Sequence, residues 1–83
     1  MEVTKNYERI VLTKTEFELL KYFLCNQKRV LTREQLLNYV WGVDFEGDVR
    51  TVDTNIRRLR KKIGEDYIQT RIGMGYVMGS GHD

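Results

Sequence analysis

Apolar positions recur at helical spacing in three stretches of this chain, and two stretches of shorter period frame them. Phe17, Leu20 and Leu24, with Leu19 and Phe23 beside them, fall at the i, i+3, i+7 recurrence of a buried helical face. Thr13 lies three residues before Glu16, the spacing of a capping box in which two side chains satisfy orphan N–H groups at a helix start. The pattern predicts a first helix over about 14–26. Asn26, Gln27 and Lys28 interrupt it, Thr32 opens a second box with Gln35, and Leu36, Leu37, Val40 and Trp41 predict a second helix over about 33–41, closed by Gly42. Val52, Ile56, Leu59 and Ile63 fall at i, i+4, i+7 and i+11, one narrow apolar stripe that predicts a third helix over 51–63, ended by Gly64.

The flanks differ. Val3 to Leu12 mixes β-branched residues with charges around Lys5 and Asn6 and reads as a short hairpin that covers the core. Tyr67 to Ile72 alternates apolar and polar positions, Gly73-Met74-Gly75 turns the chain, and Tyr76-Val77-Met78 completes a second hairpin. Val43 to Val49 shows no sustained period and reads as a loop. Hairpin, three helices and hairpin in this order predict an α+β fold, a winged helix-turn-helix over residues 1–78 whose last hairpin, 67–78, is the wing. Gly79 to Asp83 is small and polar and is expected to be a flexible tail.

Composition narrows the chemistry. Eighty-three residues hold one domain and one small core, so function is expected on the surface. No apolar run approaches the roughly 18 to 20 residues of a membrane span, and polar residues follow Met1 where a signal peptide would be apolar, so the expected compartment is the cytoplasm. One cysteine and one histidine exclude a disulfide framework, a metal site of known ligand spacing and the usual catalytic sets, and Cys25 reads as a small core residue. An enzyme, a cofactor and a small-molecule ligand are not expected. Gly73-Met74-Gly75 sits in a hairpin rather than between strand and helix, which removes it as a phosphate loop.

Charge is where the sequence speaks most clearly. The net value is +2, but Arg50 to Ile63 holds six cations against Asp53 alone, so that segment carries +5 and the remainder −3. Such a patch on a near-neutral protein points to an anionic partner, nucleic acid first. An anionic membrane is disfavoured, because the helix has no second apolar face to insert. With the apolar stripe at one pole of the helix, Thr54, Arg58 and Lys61 lie near the other. Arg58 can present its guanidinium fork to a guanine edge and Thr54 can touch a thymine methyl, whereas Arg50, Arg57, Lys61 and Lys62 suit phosphates. Arg60, nearer the side, is as well suited to pairing with an acid or packing along its stem as to a phosphate. The alternative for the whole face is a solvated charge run with an i, i+4 surface pair of Asp53 and Arg57.

Longer stretches carry a resemblance. Leu12-Thr13-x-Thr15-Glu16-Phe17-Glu18-Leu19-Leu20, Arg29 through Leu37, Val40-Trp41-Gly42, the block Arg50-Thr51-Val52-Asp53-x-x-Ile56-Arg57-Arg58-Leu59-Arg60-Lys61-Lys62-Ile63, and Gly73-x-Gly75-Tyr76 together resemble the effector domain of OmpR/PhoB-type response regulators over about residues 8 to 78. The resemblance implies sequence-specific binding of double-stranded DNA as the output of a two-component system regulating transcription. It implies base reading in the major groove by Thr54, Asn55 and Arg58, and backbone contacts from Trp41, Arg50, Thr51, Arg57 and Arg60. A wing built on Thr70, Arg71, Gly73, Gly75 and Tyr76 would approach the minor groove. It implies tandem binding of two copies to direct repeats in a promoter, and a loop containing Asp44, Phe45 and Glu46 that can contact RNA polymerase. Two departures stand out. The family often has arginine immediately before the first turn glycine, where this chain has Ile72, and Arg71 lies one residue earlier, on the other face of the strand, which argues against minor-groove insertion by Arg71. The family's N-terminal sheet has four strands, of which this chain is expected to hold only the last portion, and its phosphorylatable receiver domain is expected to be absent, leaving a weak, constitutive monomer. The competing reading is a winged helix used for protein interaction, with the acidic loop and Phe45 as its contact surface.

Overall fold

The computed structural model describes residues 2–5 and 8–79. Strands β1 (Glu2–Lys5) and β2 (Glu8–Val11) form an antiparallel hairpin, followed by helices α1 (Lys14–Cys25), α2 (Arg33–Val40) and α3 (Arg50–Ile63), and then by the antiparallel pair β3 (Ile68–Arg71) and β4 (Gly75–Met78). The expected winged helix-turn-helix is therefore present. The expected flexible tail falls almost wholly on residues 80–83, outside the described residues.

Both predicted capping boxes close. Thr13 Oγ1 accepts from Glu16 N at 3.1 Å while Thr13 N donates to Glu16 Oε1 at 3.0 Å, and Thr32 and Gln35 exchange the same pair at 3.0 and 2.8 Å. These bonds fix where α1 and α2 begin.

The core gathers Leu19 and Phe23 of α1, Leu36 and Leu37 of α2, the whole predicted stripe Val52, Ile56, Leu59 and Ile63 of α3, and Leu12, Leu31, Ile68, Tyr76 and Met78 between them. On α1 the buried line differs from the expected one. It runs Glu16, Leu19, Phe23, while Phe17 and Leu20 pack only partly and Leu24 is exposed. Leu19 and Phe23 lie wholly in the core on that line, and Glu16, one turn before Leu19, is buried with them and paired to Lys62 of α3, which leaves Leu24 facing out. Cys25, expected in the core, is exposed at the end of α1, about 200° round the helix from Phe23.

Strand β4 is buried along its whole length and is bonded on both edges. Its second partner is the connection between α1 and α2, where Leu31 and Tyr76 exchange N–H···O bonds of 2.8 and 3.0 Å and Lys28 N donates to Met78 O at 2.8 Å. Gly75, at φ +142°, admits this approach, since a Cβ there would stand 2.1 Å from the Leu31 carbonyl oxygen. The wing is thus seated against the loop that enters α2.

Candidate nucleic-acid interface

Helix α3 divides its cations by face. Arg57, Arg58 and Lys61 are exposed, and no hydrogen bond or ion pair holds them among the described residues. The surface pair of Asp53 with Arg57 does not form. Asp53 instead accepts from Tyr76 Oη at 2.6 Å and from Arg33 at 3.0 Å, so its charge is spent toward α2 and the wing. Thr54 stands half-buried on the outward side, and Asn55 turns its amide Nδ2 back to the Thr51 carbonyl at 2.9 Å, which leaves its side-chain oxygen as the free acceptor.

Lys62 and Arg60 serve the fold. Lys62, expected as a phosphate clamp, meets the buried Glu16 carboxylate at 2.6 Å. Burial alone would push the Glu16 carboxyl up; the hydrogen bonds from Lys62 and Thr13 outweigh it, and the group ends below its ordinary value of 4.5. Arg60 takes the structural course rather than the phosphate one, although without an acid. Its Nε donates to the Ile68 carbonyl at 2.9 Å and its other nitrogen to Thr70 Oγ1 at 2.8 Å, and its guanidinium lies 5.4 Å from the centre of the Tyr76 ring. Tyr76 is itself pushed up to about 12, by burial first and then by donating to the Asp53 carboxylate, so its hydroxyl keeps its proton at any physiological pH.

Arg33, Asp53, Tyr76, Arg60 and Thr70 therefore form a polar clasp that fixes α2, α3 and the wing together, beside an open cleft of about 610 Å³ under the wing turn. Nothing in the sequence signals this clasp, although Arg60, Thr70 and Tyr76 stand among the expected DNA contacts, since no spacing rule joins residues 23 positions apart. Arg33 was missed altogether; its place at the first position of α2, after the Thr32 cap, is the signal that puts it near α3.

At the entrance to α3, Arg50 pairs with Asp48 at 3.0 Å, and Asp48 Oδ1 also accepts from Arg50 N at 2.8 Å. This stands where a side-chain cap is lacking on Val49, and it holds the Asp48 carboxyl below its ordinary value. Trp41 closes α2, packs partly against the core and meets the Phe45 ring in a tilted contact at 6.1 Å. Phe45 also lies over Gly47, where a Cβ would come within 2.2 Å of the ring. Asp44 and Glu46 are exposed beside it. In the wing, Arg71 folds back to Gln69 at 3.2 Å, Gly73 turns at φ +76°, and Ile72 stands almost wholly in solvent.

A buried apolar stripe, a free basic face opposite it, and a hairpin clasped to the same helix define a winged-helix domain of the DNA-binding kind. Residues 7–78 match the family described as "Transcriptional regulatory protein, C terminal", and the chain belongs to that family, the effector domains of OmpR/PhoB-type response regulators. It is similar to the DNA-binding domain of Bacillus subtilis CssR, with 41% identity and a TM-score of 0.87 over 93% of this chain and 89% of that one. The RstA DNA-binding domain of Klebsiella pneumoniae, solved in complex with the RstA box, is 28% identical with a TM-score of 0.83 over 95% and 83% of the two chains. The response regulator DrrB of Thermotoga maritima, an OmpR/PhoB homolog, is 42% identical with a TM-score of 0.78 over 87% of this chain. The chain spans 35% of DrrB. No helix among the described residues is long and apolar enough to cross a membrane.

Proposed function

We propose that this domain regulates transcription by binding promoter DNA in the cytoplasm, with α3 in the major groove and the wing beside the adjacent minor groove. The observation that carries the reading is the unpaired row Arg57, Arg58 and Lys61 on the helix whose opposite face is the core. Thr54, Asn55 and Arg58 read base edges; Arg50, Thr51, Arg57, Lys61 and Trp41 hold the backbone. Arg60, Lys62 and Tyr76 act through the fold, by keeping α3 and the wing in register.

The exposed acids Asp44 and Glu46 around Phe45 give the loop between α2 and α3 a surface for RNA polymerase. Two copies arranged head to tail on direct repeats supply the affinity that one domain lacks. Selection from a random duplex library at low and moderate salt tests the reading: a short motif, enriched as a direct repeat, is the expected result. The salt slope of log K against log[salt] should be roughly −4 for about four phosphates. A folded sample that enriches nothing and shows no salt dependence would overturn the DNA reading in favour of a protein-interaction domain.

A further inference from the structure

The wing turn carries two apolar side chains that the fold does not use. Ile72 is 94% exposed and Met74 60%, and the space around Gly73 between them is open, with nothing within 4 Å of where a Cβ would lie. The turn is closed by Met74 N donating to Arg71 O at 2.8 Å. Its base is rigid, since β4 is bonded on both edges and Arg60 of α3 holds Ile68 and Thr70. The tip is therefore held at a fixed offset from the basic face of α3.

Charge at the tip is almost absent. From Tyr67 to Gly79 there is no acid, and the single cation, Arg71, is folded back along β3 onto Gln69. Phosphates neither repel this tip nor draw it in. We propose that Ile72 and Met74 form an apolar wedge that enters the minor groove of duplex DNA and selects base pairs by contact and shape rather than by charge. The proposal rests on the DNA-binding reading above and adds its specificity-determining residues in the wing.

The physical basis is the chemistry of the groove floor. Every base pair shows acceptors there, and guanine adds a 2-amino donor that protrudes from the floor. An aliphatic side chain over G·C therefore meets one more group in its way and leaves one more polar group without a partner than over A·T, while TA steps are also readily unstacked. Branched and thioether side chains also act as wedges between base steps and bend the duplex toward the major groove. The wing should thus favour A·T or I·C pairs over G·C at one or two positions.

The test uses the 83-residue chain and a duplex carrying a single copy of its selected site, with each flanking pair changed in turn to G·C and to I·C. Inosine keeps the guanine major-groove edge and lacks the 2-amino group, so a difference between the two reports the minor groove alone. Wild type should bind the G·C version under the wing several-fold more weakly than the I·C version. The Ile72→Ser, Met74→Ser double variant, whose side chains lie outside the core, should keep its thermal midpoint, lose roughly tenfold in affinity, treat G·C and I·C alike and keep its salt slope. Ile72→Arg should steepen that slope by about one. A double variant that binds a single site as wild type does, or that loses affinity only on a direct repeat and so uses the tip against the neighbouring copy, overturns the wedge and leaves the DNA reading intact. A folded wild type that binds no duplex overturns both.

Discussion

Helices α1 and α3 present apolar lines to the same core and treat charge in opposite ways. On α1 the first-turn acid, Glu16, is buried, caps its own helix and is paired to Lys62. On α3 three cations stand outward with no partner among the described residues, while Arg60 and Lys62 are committed to other elements and Arg50 pairs with Asp48 at the helix entrance. The difference shows that a basic run is two things on one helix. Cations nearer the stripe tie elements together, while those toward the far pole face solvent, where a ligand can reach them. Counting charge along the segment merges the two sets; the fold separates them.

That separation predicts distinct losses. Phe23→Ala, on the buried line of α1, should cost about 3 to 5 kcal/mol of stability by opening a cavity, read from denaturant midpoints, with unchanged intrinsic DNA affinity wherever the variant is still folded. Arg58→Ala should do the reverse: thermal stability unchanged, binding weakened by about 1 to 3 kcal/mol, and base preference relaxed at one position of the site. Lys61→Ala should weaken all sequences alike. Equal and sequence-independent losses from both would make Arg58 a phosphate contact and remove the base-reading role.

Much of this architecture was legible. Capping boxes at Thr13 and Thr32 and the stripe through α3 are local patterns, and each fixed its element to within a residue or two. What was not legible depends on contacts distant in sequence. Leu24 and Phe23 are both apolar and adjacent, and which of them faces the core is settled by packing against α2, α3 and the strands, with Glu16 on the same line meeting Lys62 46 residues away. Lys62 and Lys61 are likewise indistinguishable as residues, yet one is pinned and the other free. The clasp is hidden for the same reason, since Asp53 has a plausible partner four residues on in Arg57 and finds better ones in Arg33 and Tyr76.

Acid titration sharpens the contrast at a smaller scale. The Glu16 carboxyl sits below its ordinary 4.5 in the folded protein, so the charged form is favoured by folding. Its contribution is fully present above about pH 4.5 and is lost as pH falls through the lower folded value. Stability should therefore decline on acidification below that point, and Glu16→Gln should show a shallower decline together with lower stability at neutral pH. A wild-type and Gln variant with parallel pH profiles would mean that Lys62 draws nothing from the pair and is as free as Lys61.

The smallest effect tests whether the committed cations serve recognition indirectly. Tyr76→Phe removes the hydroxyl that donates to Asp53 at 2.6 Å while keeping the ring under Arg60 and the backbone bonds to Leu31. Stability should fall by about 0.5 to 1.5 kcal/mol, since Asp53 retains Arg33 and partial access to water. If the clasp sets the offset of the wing from α3, the variant should also lose discrimination at base pairs under the wing while major-groove preferences and the salt slope stay as in wild type. Phe has the same shape and no charge changes, so a loss confined to those pairs can only come from a wing less firmly held. A loss spread evenly over the whole site would instead place Tyr76 among the residues that touch the DNA backbone.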